Sequence, residues 1–375
     1  MSEKADGAVF ADEISAGYGK VTVAGGITFR AERGEILTVI GPNGAGKSTI
    51  LRTIAAQLPL LAGKVFLNGA ELSAIGAKAL SKQLAIVLTD RIHAERMTCR
   101  DVAATGRYPY TGRLGILSEE DEKAVSEAME LTGSSHLADV DFRNISDGQR
   151  QCVMLARAIS QQPDILLLDE PTSFLDINHK LGLLSLLRTL AKQKNIAVIQ
   201  TLHELDLAQR FSDKLLCIKD GRAELFGTPE EVFSGGFIER LYGIEQGSFH
   251  NSYGMAEARA SGGKAEVFVI GGGGRAIPMY RELNRRGIPF AAGVIPENDI
   301  EYPAAGSLAA ELFTEKAYEP ISDKSVTAAL SVLKTCKRVI CCTDTFGTVN
   351  RGNAVLRSEA ERLGTLEMRI LGTGS

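Results

Sequence analysis

An α/β protein in two domains is what the sequence predicts, and three observations carry that prediction. Short apolar runs, "EILTVI" (35–40), "LAIVL" (84–88) and "DILLLDE" (164–170), read as buried strands. Segments with helical spacing alternate with them, which is the pattern of strands covered by helices. Composition then shifts at "NSYGMAEARASGGKAE" (251–266), a small, polar, glycine-containing stretch, and a fresh strand, glycine run and helix follow it. A chain of 375 residues is long enough for more than one core. The expected division is a first domain over 1–250, a linker over 251–264 and a second domain over 265–375.

Residues up to about 33 alternate in polarity and carry turn residues, as antiparallel strands do. After "EILTVI" comes a glycine-rich stretch, then "STILRTIAAQL" with helical spacing. Between about 90 and 160 the pattern is mostly helical. "SEEDEKAVSEAMELTG" there reads as an amphipathic helix stopped by Gly133. Pro163 leads into "DILLLDE". "KLGLLSLLRTLAKQK" reads as a helix, "IAVIQTLH" as a strand, and "KLLCIKDGRAELFG" as a hairpin turning on Asp-Gly. In the second domain the order is strand "EVFVI", helix "AIPMYRELNRRG", strand "FAAGVI", a further helix and strand "RVICC".

With 44% hydrophobic and 23% charged residues, the composition is that of a globular protein. A net charge of −4 argues against a sequence-independent nucleic-acid binder, which needs a basic face. The six cysteines form no CxxC, so neither a zinc site nor a disulfide framework is indicated. The polar start "MSEKADGAVFADE" is unlike a secretory signal, and no apolar run approaches the roughly 18–20 residues of a membrane helix. The expectation is a cytoplasmic chain that does not cross a bilayer itself.

"GPNGAGKST" (41–49) is the most informative stretch. Gly41, four intervening residues, Gly46, Lys47 and Ser48 fit the phosphate-loop pattern, in the required order of strand, loop and helix. The loop Gly41, Pro42, Asn43, Gly44, Ala45 and Gly46 would use its glycines to turn backbone N–H groups, of which Pro42 has none, onto phosphate oxygens, and the helix N-terminus starting near Lys47, Ser48 and Thr49 adds its positive dipole end. Lys47 would reach the β/γ-phosphates and Ser48 would ligate Mg²⁺. A buried strand also delivers Asp169 toward the metal, with Glu170 one residue on, placed to polarise water. ATP and Mg²⁺ are the cofactors this pairing implies.

Here the chain resembles the nucleotide-binding subunits of ATP-binding cassette (ABC) transporters, over about residues 8–245. "ISDGQRQ" (145–151) looks like their signature sequence, with Ser146, Asp147, Gly148 and Gln149 in place and Asp147 standing for the first glycine. The resemblance implies a P-loop ATPase core with an antiparallel β subdomain and a helical subdomain. It implies a homodimer, in which each signature sequence completes the γ-phosphate pocket of the other subunit. It implies that Tyr18 stacks on adenine, that Asp176 in "SFLD" lies in the loop coupling the two sites, and that His203, 33 residues after Glu170, contacts the γ-phosphate. Catalysis is then assigned to Glu170, His203 and Lys47. One position departs: the family's usual glutamine after "LAIVL" is replaced by Thr89, with Asp90 beside it. Both are candidate holders of a metal-bound water.

"GRYPY" (106–110) and "TLHELDLAQRFSDKLLCIKDGRAELFGTPEEVF" resemble importers of iron–siderophore chelates, heme and cobalamin. This implies a separate integral membrane permease, a solute-binding protein beyond it, and a place on the inner face of the cell membrane. The bland alternative for "RYPY" is a surface turn with packed tyrosines. In the second domain, Gly271-x-Gly273-x-x-Ala276 follows a strand and precedes a helix, a Rossmann-like context. No acidic residue sits at the second strand's end; Glu297 and Asp299 lie a few residues past it. A small-molecule ligand and a purely structural extension both fit that domain, and Cys341 and Cys342 read as core residues.

Overall fold

The computed structural model describes residues 7–88, 96–112, 115–173, 175–244, 247–250 and 255–370. It divides into two compact units, Met1–Tyr242 and Gly243–Ser375. The boundary therefore lies earlier than 250. Within the segment read as linker, Met255–Ala258 forms a strand paired antiparallel with Gly247–His250. Backbone pairing, which polar composition does not reveal, makes that hairpin.

The first unit holds two sheets. β1 (Val9–Tyr18), β2 (Val21–Ala31), β4 (Leu60–Leu67) and β5 (Ala70–Glu71) form an antiparallel sheet in the order β2-β1-β4-β5. β3 (Ile36–Ile40), β6 (Leu84–Val87), β7 (Ile165–Leu168), β8 (Ala197–Thr201), β9 (Lys214–Lys219) and β10 (Arg222–Gly227) form the second, ordered β10-β9-β3-β8-β7-β6. All its pairs are parallel except β9 with β10. Every residue of β3, β7 and β8 is buried, the reason these runs are mostly apolar rather than alternating; among their polar members, Thr38 and Gln200 bond each other at 3.1 Å. The hairpin between β9 and β10 turns on Asp220 and Gly221, both with positive φ (47° and 74°), as a two-residue turn of this hand needs.

The helix Lys47–Ile54 ties the two sheets together. Its Ile50, Leu51 and Ile54 share one core with Ile14, Ile27 and Phe29 of the first sheet and Leu37 and Val39 of the second. Each such buried side chain contributes about 1.5–3 kcal/mol relative to an exposed one. The start of that helix is thereby pinned above the end of β3.

Helices Cys99–Ala104, Glu119–Leu131 and Asp147–Ser160 build a separate small core around Val102, Val125, Met129, Phe142 and Val153. Thr98, Ser118 and Ser146 start them with reciprocal side-chain caps. Arg107 of "GRYPY" holds this part together. It is 4% exposed, and its Nε donates to Asp121 Oδ1 at 2.7 Å. Its Nη1 donates to Ser160 O at 2.8 Å, and its guanidinium lies 3.9 Å from the Tyr110 ring centre.

In the second unit β11 (Gly247–His250) and β12 (Met255–Ala258) form the hairpin already described. β13 (Val267–Ile270), β14 (Phe290–Pro296), β15 (Glu311–Glu315), β16 (Arg338–Cys341) and β17 (Leu366–Met368) form a wholly parallel sheet, ordered β15-β14-β13-β16-β17. Side chains of β13 alternate between two cores. Val267 and Val269 pack with Met279, Tyr280 and Leu283, while Phe268 and Ile270 pack with Leu333, Leu356 and Ala360 on the other face. Cys341 and Cys342 lie in opposite cores, and all six cysteines are free thiols. The two outermost strands were not expected, because half-exposed edge residues such as "ELFTE" and "LEM" carry no strand period.

Replacing Arg107 with alanine strands Asp121, which is 5% exposed, without its cation. A loss of about 3–5 kcal/mol in denaturant unfolding is expected. The hydrogen bonds to Ser118 and Arg107 hold the Asp121 carboxyl below its ordinary value, against burial. That contribution is present above about pH 4 and is lost as pH falls below it. Unfolding curves of wild type should therefore lose this part of their advantage over Arg107→Ala in acid.

Candidate nucleotide site

The site begins where β3 ends. Gly41 (φ 149°) leaves the strand so close to β9 that a Cβ there would lie 2.0 Å from Ile218 O. Gly46 (φ 101°) opens the helix in a left-handed conformation, so the loop needs glycine at both ends. Lys47 is 5% exposed and its Nζ donates to Gly41 O at 2.7 Å and Pro42 O at 3.0 Å. Burial pushes its pKa below the ordinary lysine value, against the pull of Glu170 and Asp169. A buried cation thus rests on two carbonyls of the glycine loop.

The ends of β7 and β8 supply the rest. Ser48 Oγ donates to Asp169 Oδ1 at 3.0 Å, and Thr201 Oγ1 donates to the same oxygen at 2.8 Å. Glu170 N donates back to Thr201 Oγ1 at 2.8 Å. Glu170 itself has φ 49°, a conformation that costs a non-glycine residue about 1 kcal/mol or more. The Thr201 bond and a turn closed by Ser173 N on Glu170 O (3.1 Å) hold it there. Its carboxylate meets His203 Nε2 at 2.6 Å and accepts from Ser173 Oγ at 3.2 Å. A hydroxyl and a carboxylate oxygen at Ser48 and Asp169 are the hard oxygen donors that suit Mg²⁺.

The structure therefore brings Ser48, Asp169, Glu170 and His203 together by direct bonds, with Lys47 beside them. Tyr18 is exposed (52%), on the end of β1. Ser146 is the exposed cap of the Asp147–Ser160 helix, its hydroxyl accepting from Gln149 N, with Asp147 paired to Arg150. Asp176 caps the Ile177–Lys194 helix and meets His179 Nδ1 at 2.7 Å. Thr89 and Asp90 lie outside the described residues. Sequence reasoning missed Thr201, which orders both Asp169 and Glu170, and Tyr242, whose hydroxyl accepts from Gly41 N at 3.0 Å. It also missed Glu204, which follows His203 and binds Thr172 Oγ1 and Lys180 Nζ. Thr201 carried a signal, a hydroxyl at the end of a buried strand. Tyr242 carried none.

The glycine run of the second unit is different in kind. Gly273 N donates to both carboxylate oxygens of Asp299, at 3.1 and 3.0 Å. Ala276 N donates to Glu301 Oε1 and Tyr280 Oη to Glu301 Oε2, each at 2.8 Å. Glu301 is fully buried, and a Cβ on Gly271 would sit 2.3 Å from its Oε2. Burial raises its pKa, against the hydrogen bonds it accepts. The loop has the shape of an anion site, and two carboxylates of its own chain stand in it.

Comparison with known proteins agrees with this geometry. The family model described as ABC transporter matches residues 24–173, and the MJ0874 family matches residues 290–369. An uncharacterized ABC transporter ATP-binding protein of Methanocaldococcus jannaschii is 43% identical over 273 residues, 72% of this chain and 94% of that protein. The ferric enterobactin transport ATP-binding protein of Escherichia coli is 36% identical over 233 residues, 62% of this chain and 86% of that one. The cobalamin import ATP-binding protein of Halobacterium salinarum is 33% identical over 303 residues, 79% and 76% of the two chains. Among solved structures, cbiO1 from Clostridium perfringens, part of the ABC transporter complex cbiONQ, aligns with a TM-score of 0.54 at 27% identity. That match covers 64% of this chain and 96% of the other. The chain belongs to the ATP-binding proteins of ABC transporters. It is an ATPase with the cassette fold, carrying an additional C-terminal α/β unit.

Thr201→Val keeps the shape of the strand end but removes two hydrogen bonds. Expected are a loss of about 1–3 kcal/mol in unfolding free energy and a fall of at least tenfold in ATP turnover. Phosphate release and a melting curve on the same preparation measure both.

Proposed function

We propose that this chain is the ATP-hydrolysing subunit that powers import of an iron chelate, siderophore or heme, or of cobalamin through a separate membrane permease. The observation that carries the ATPase part is the linked set of Ser48, Asp169, Thr201, Glu170 and His203 at three adjacent strand ends. The cargo class rests on the ferric enterobactin and cobalamin relatives. The reading assigns the path across the membrane to that permease; no described helix of this chain is long and apolar enough to cross one. The chain is read as a homodimer, peripheral on the inner face of the membrane, with a solute-binding protein on the other side.

In this reading the ATP phosphates meet the loop amides after Pro42 and draw Lys47 Nζ off the Gly41 and Pro42 carbonyls. Ser48 and Asp169 would hold Mg²⁺, which would supply charge neutralisation for the phosphates. Glu170 orients the attacking water and accepts its proton. His203 leaves Glu170 to face the γ-phosphate, where with Lys47 it stabilises the charge that develops. Tyr18 stacks on adenine. Ser146, Asp147, Gly148 and Gln149 of a second copy close the pocket from the opposite side, their helix N-terminus facing the γ-phosphate. Asp176 lies between the two sites. Exposure of Tyr18, Ser146 and Asp176 in the single chain supports roles that need a nucleotide or a second copy.

Glu170→Gln should retain ATP while turnover falls at least a hundredfold; turnover near wild type removes Glu170 from its role. Uptake of labelled ferric chelate, heme and cobalamin in cells lacking this chain tests the cargo. Wild type, and not Glu170→Gln, should restore one of the three.

The C-terminal unit is read as a regulatory domain that senses cargo rather than a nucleotide, because Asp299 and Glu301 already use the glycine-loop amides. Calorimetric titration of the full chain with ATP should then give one nucleotide per chain, and NAD or FAD should give no heat. A second nucleotide per chain contradicts this reading.

A further inference from the structure

The first residue of the phosphate loop is held at both its N–H and its carbonyl. Lys47 Nζ donates to Gly41 O, and Gly41 N donates to the hydroxyl of Tyr242. Tyr242 lies 201 residues further on, at the end of the short helix Phe237–Tyr242. That helix is fixed by buried Ile238 and Leu241 and by Lys219 Nζ, which donates to Arg240 O at 2.6 Å. The strand β9 thus does two things at once. Its Ile218 carbonyl presses on Gly41 so closely that no side chain fits, and its Lys219 anchors the helix that brings Tyr242 to the other side.

The two holds on Gly41 have different fates when ATP binds, and on that reading of the site the further inference rests. Lys47 must give up the Gly41 and Pro42 carbonyls to reach phosphate oxygens. The Tyr242 hydroxyl has no such competing task. We propose that Tyr242 is a positioning residue for nucleotide binding: its hydroxyl keeps Gly41, and with it the loop amides, in the phosphate-binding shape after Lys47 has left. Burial pushes the Tyr242 hydroxyl up to about 12, so it stays neutral, an acceptor for the amide, at any pH at which the enzyme is assayed. Tyr242 is also the last residue of the first compact unit. The chain enters the C-terminal unit directly from the residue that holds the phosphate loop.

The loss on removing the hydroxyl falls mainly on binding. Without it, the loop of the nucleotide-free protein can relax to satisfy the Gly41 amide, and ATP must then restore the binding shape at its own expense. Tyr242→Phe in the full chain should raise the ATP Kd and KM about five- to thirtyfold, with kcat at saturating ATP within about twofold of wild type. The ratio of the two Kd values should stay constant between about pH 6 and pH 9. A lower melting temperature with unchanged Kd and KM would make Tyr242 merely structural and overturn the proposal. A large fall in kcat with unchanged KM would overturn it too. Wild type that binds no ATP would instead sink the nucleotide-site reading itself. Hydrogen exchange at the Gly41 amide in wild type needs no variant to fold. It should be slow both without nucleotide and with ATP bound, and fast exchange in the ATP-bound protein would contradict the proposal.

Discussion

Everything in the first unit converges on one carboxylate oxygen. Asp169 Oδ1 accepts from Ser48, in the helix that follows β3, and from Thr201, which ends β8, while Asp169 itself directly follows β7. Three strands adjacent in the sheet therefore have their C-terminal ends fixed to one another within hydrogen-bond distance. Such closeness is only available in a parallel sheet, where neighbouring strands finish on the same side. The Lys47–Ile54 helix, clamped between two sheets by Ile50, Leu51 and Ile54, supplies the rigidity that keeps Ser48 in reach. Glu170 then inherits its position, because the residue after Asp169 is bonded through its own amide to the same Thr201.

The chain contains two glycine loops, each after a buried parallel strand, and their electrostatics separate them. In the first, a buried lysine lies beside the loop amides, and Asp169 and Glu170 stand beyond it at neighbouring strand ends. A buried cation beside loop amides suits an anion. In the second, Asp299 and Glu301 already supply the negative oxygens to Gly273 and Ala276, and no glycine replacement at 271 leaves room for Glu301. A phosphate entering there would have to displace a buried, hydrogen-bonded carboxylate. Glycine content alone does not distinguish these cases; the partners of the amides do.

This comparison also explains what the sequence could disclose. The buried strands of the core sheet were legible because a strand covered on both faces must be mostly apolar along its length. The phosphate loop, Asp169, Glu170 and His203 were legible because each lies within a few residues of such a strand's end. Strands β15 and β17 were not, since edge strands need no pattern. Tyr242 and Glu301 were not, since each reaches its partner across the fold, over 201 and 25 residues, through hydrogen bonds that leave no local periodicity. Arg107 was read within a motif of uncertain purpose. Burial against Asp121, Ser160 and Tyr110 gives it a packing role. Adjacent Tyr108 remains exposed at 66%.

On the proposed reading, a single chain presents half of each catalytic pocket. Ser146 and Asp147 are exposed at a helix start, where the positive end of the helix dipole favours an anion. The central claim is that ATP joins two such halves. The direct measurement is sedimentation of the full-length Glu170→Gln chain with and without Mg·ATP. The account predicts a monomer without nucleotide and a dimer of twice that mass with it, reversed when Ser146 is replaced by arginine. A mass that does not change with ATP, in a protein shown to have bound it, would contradict the account.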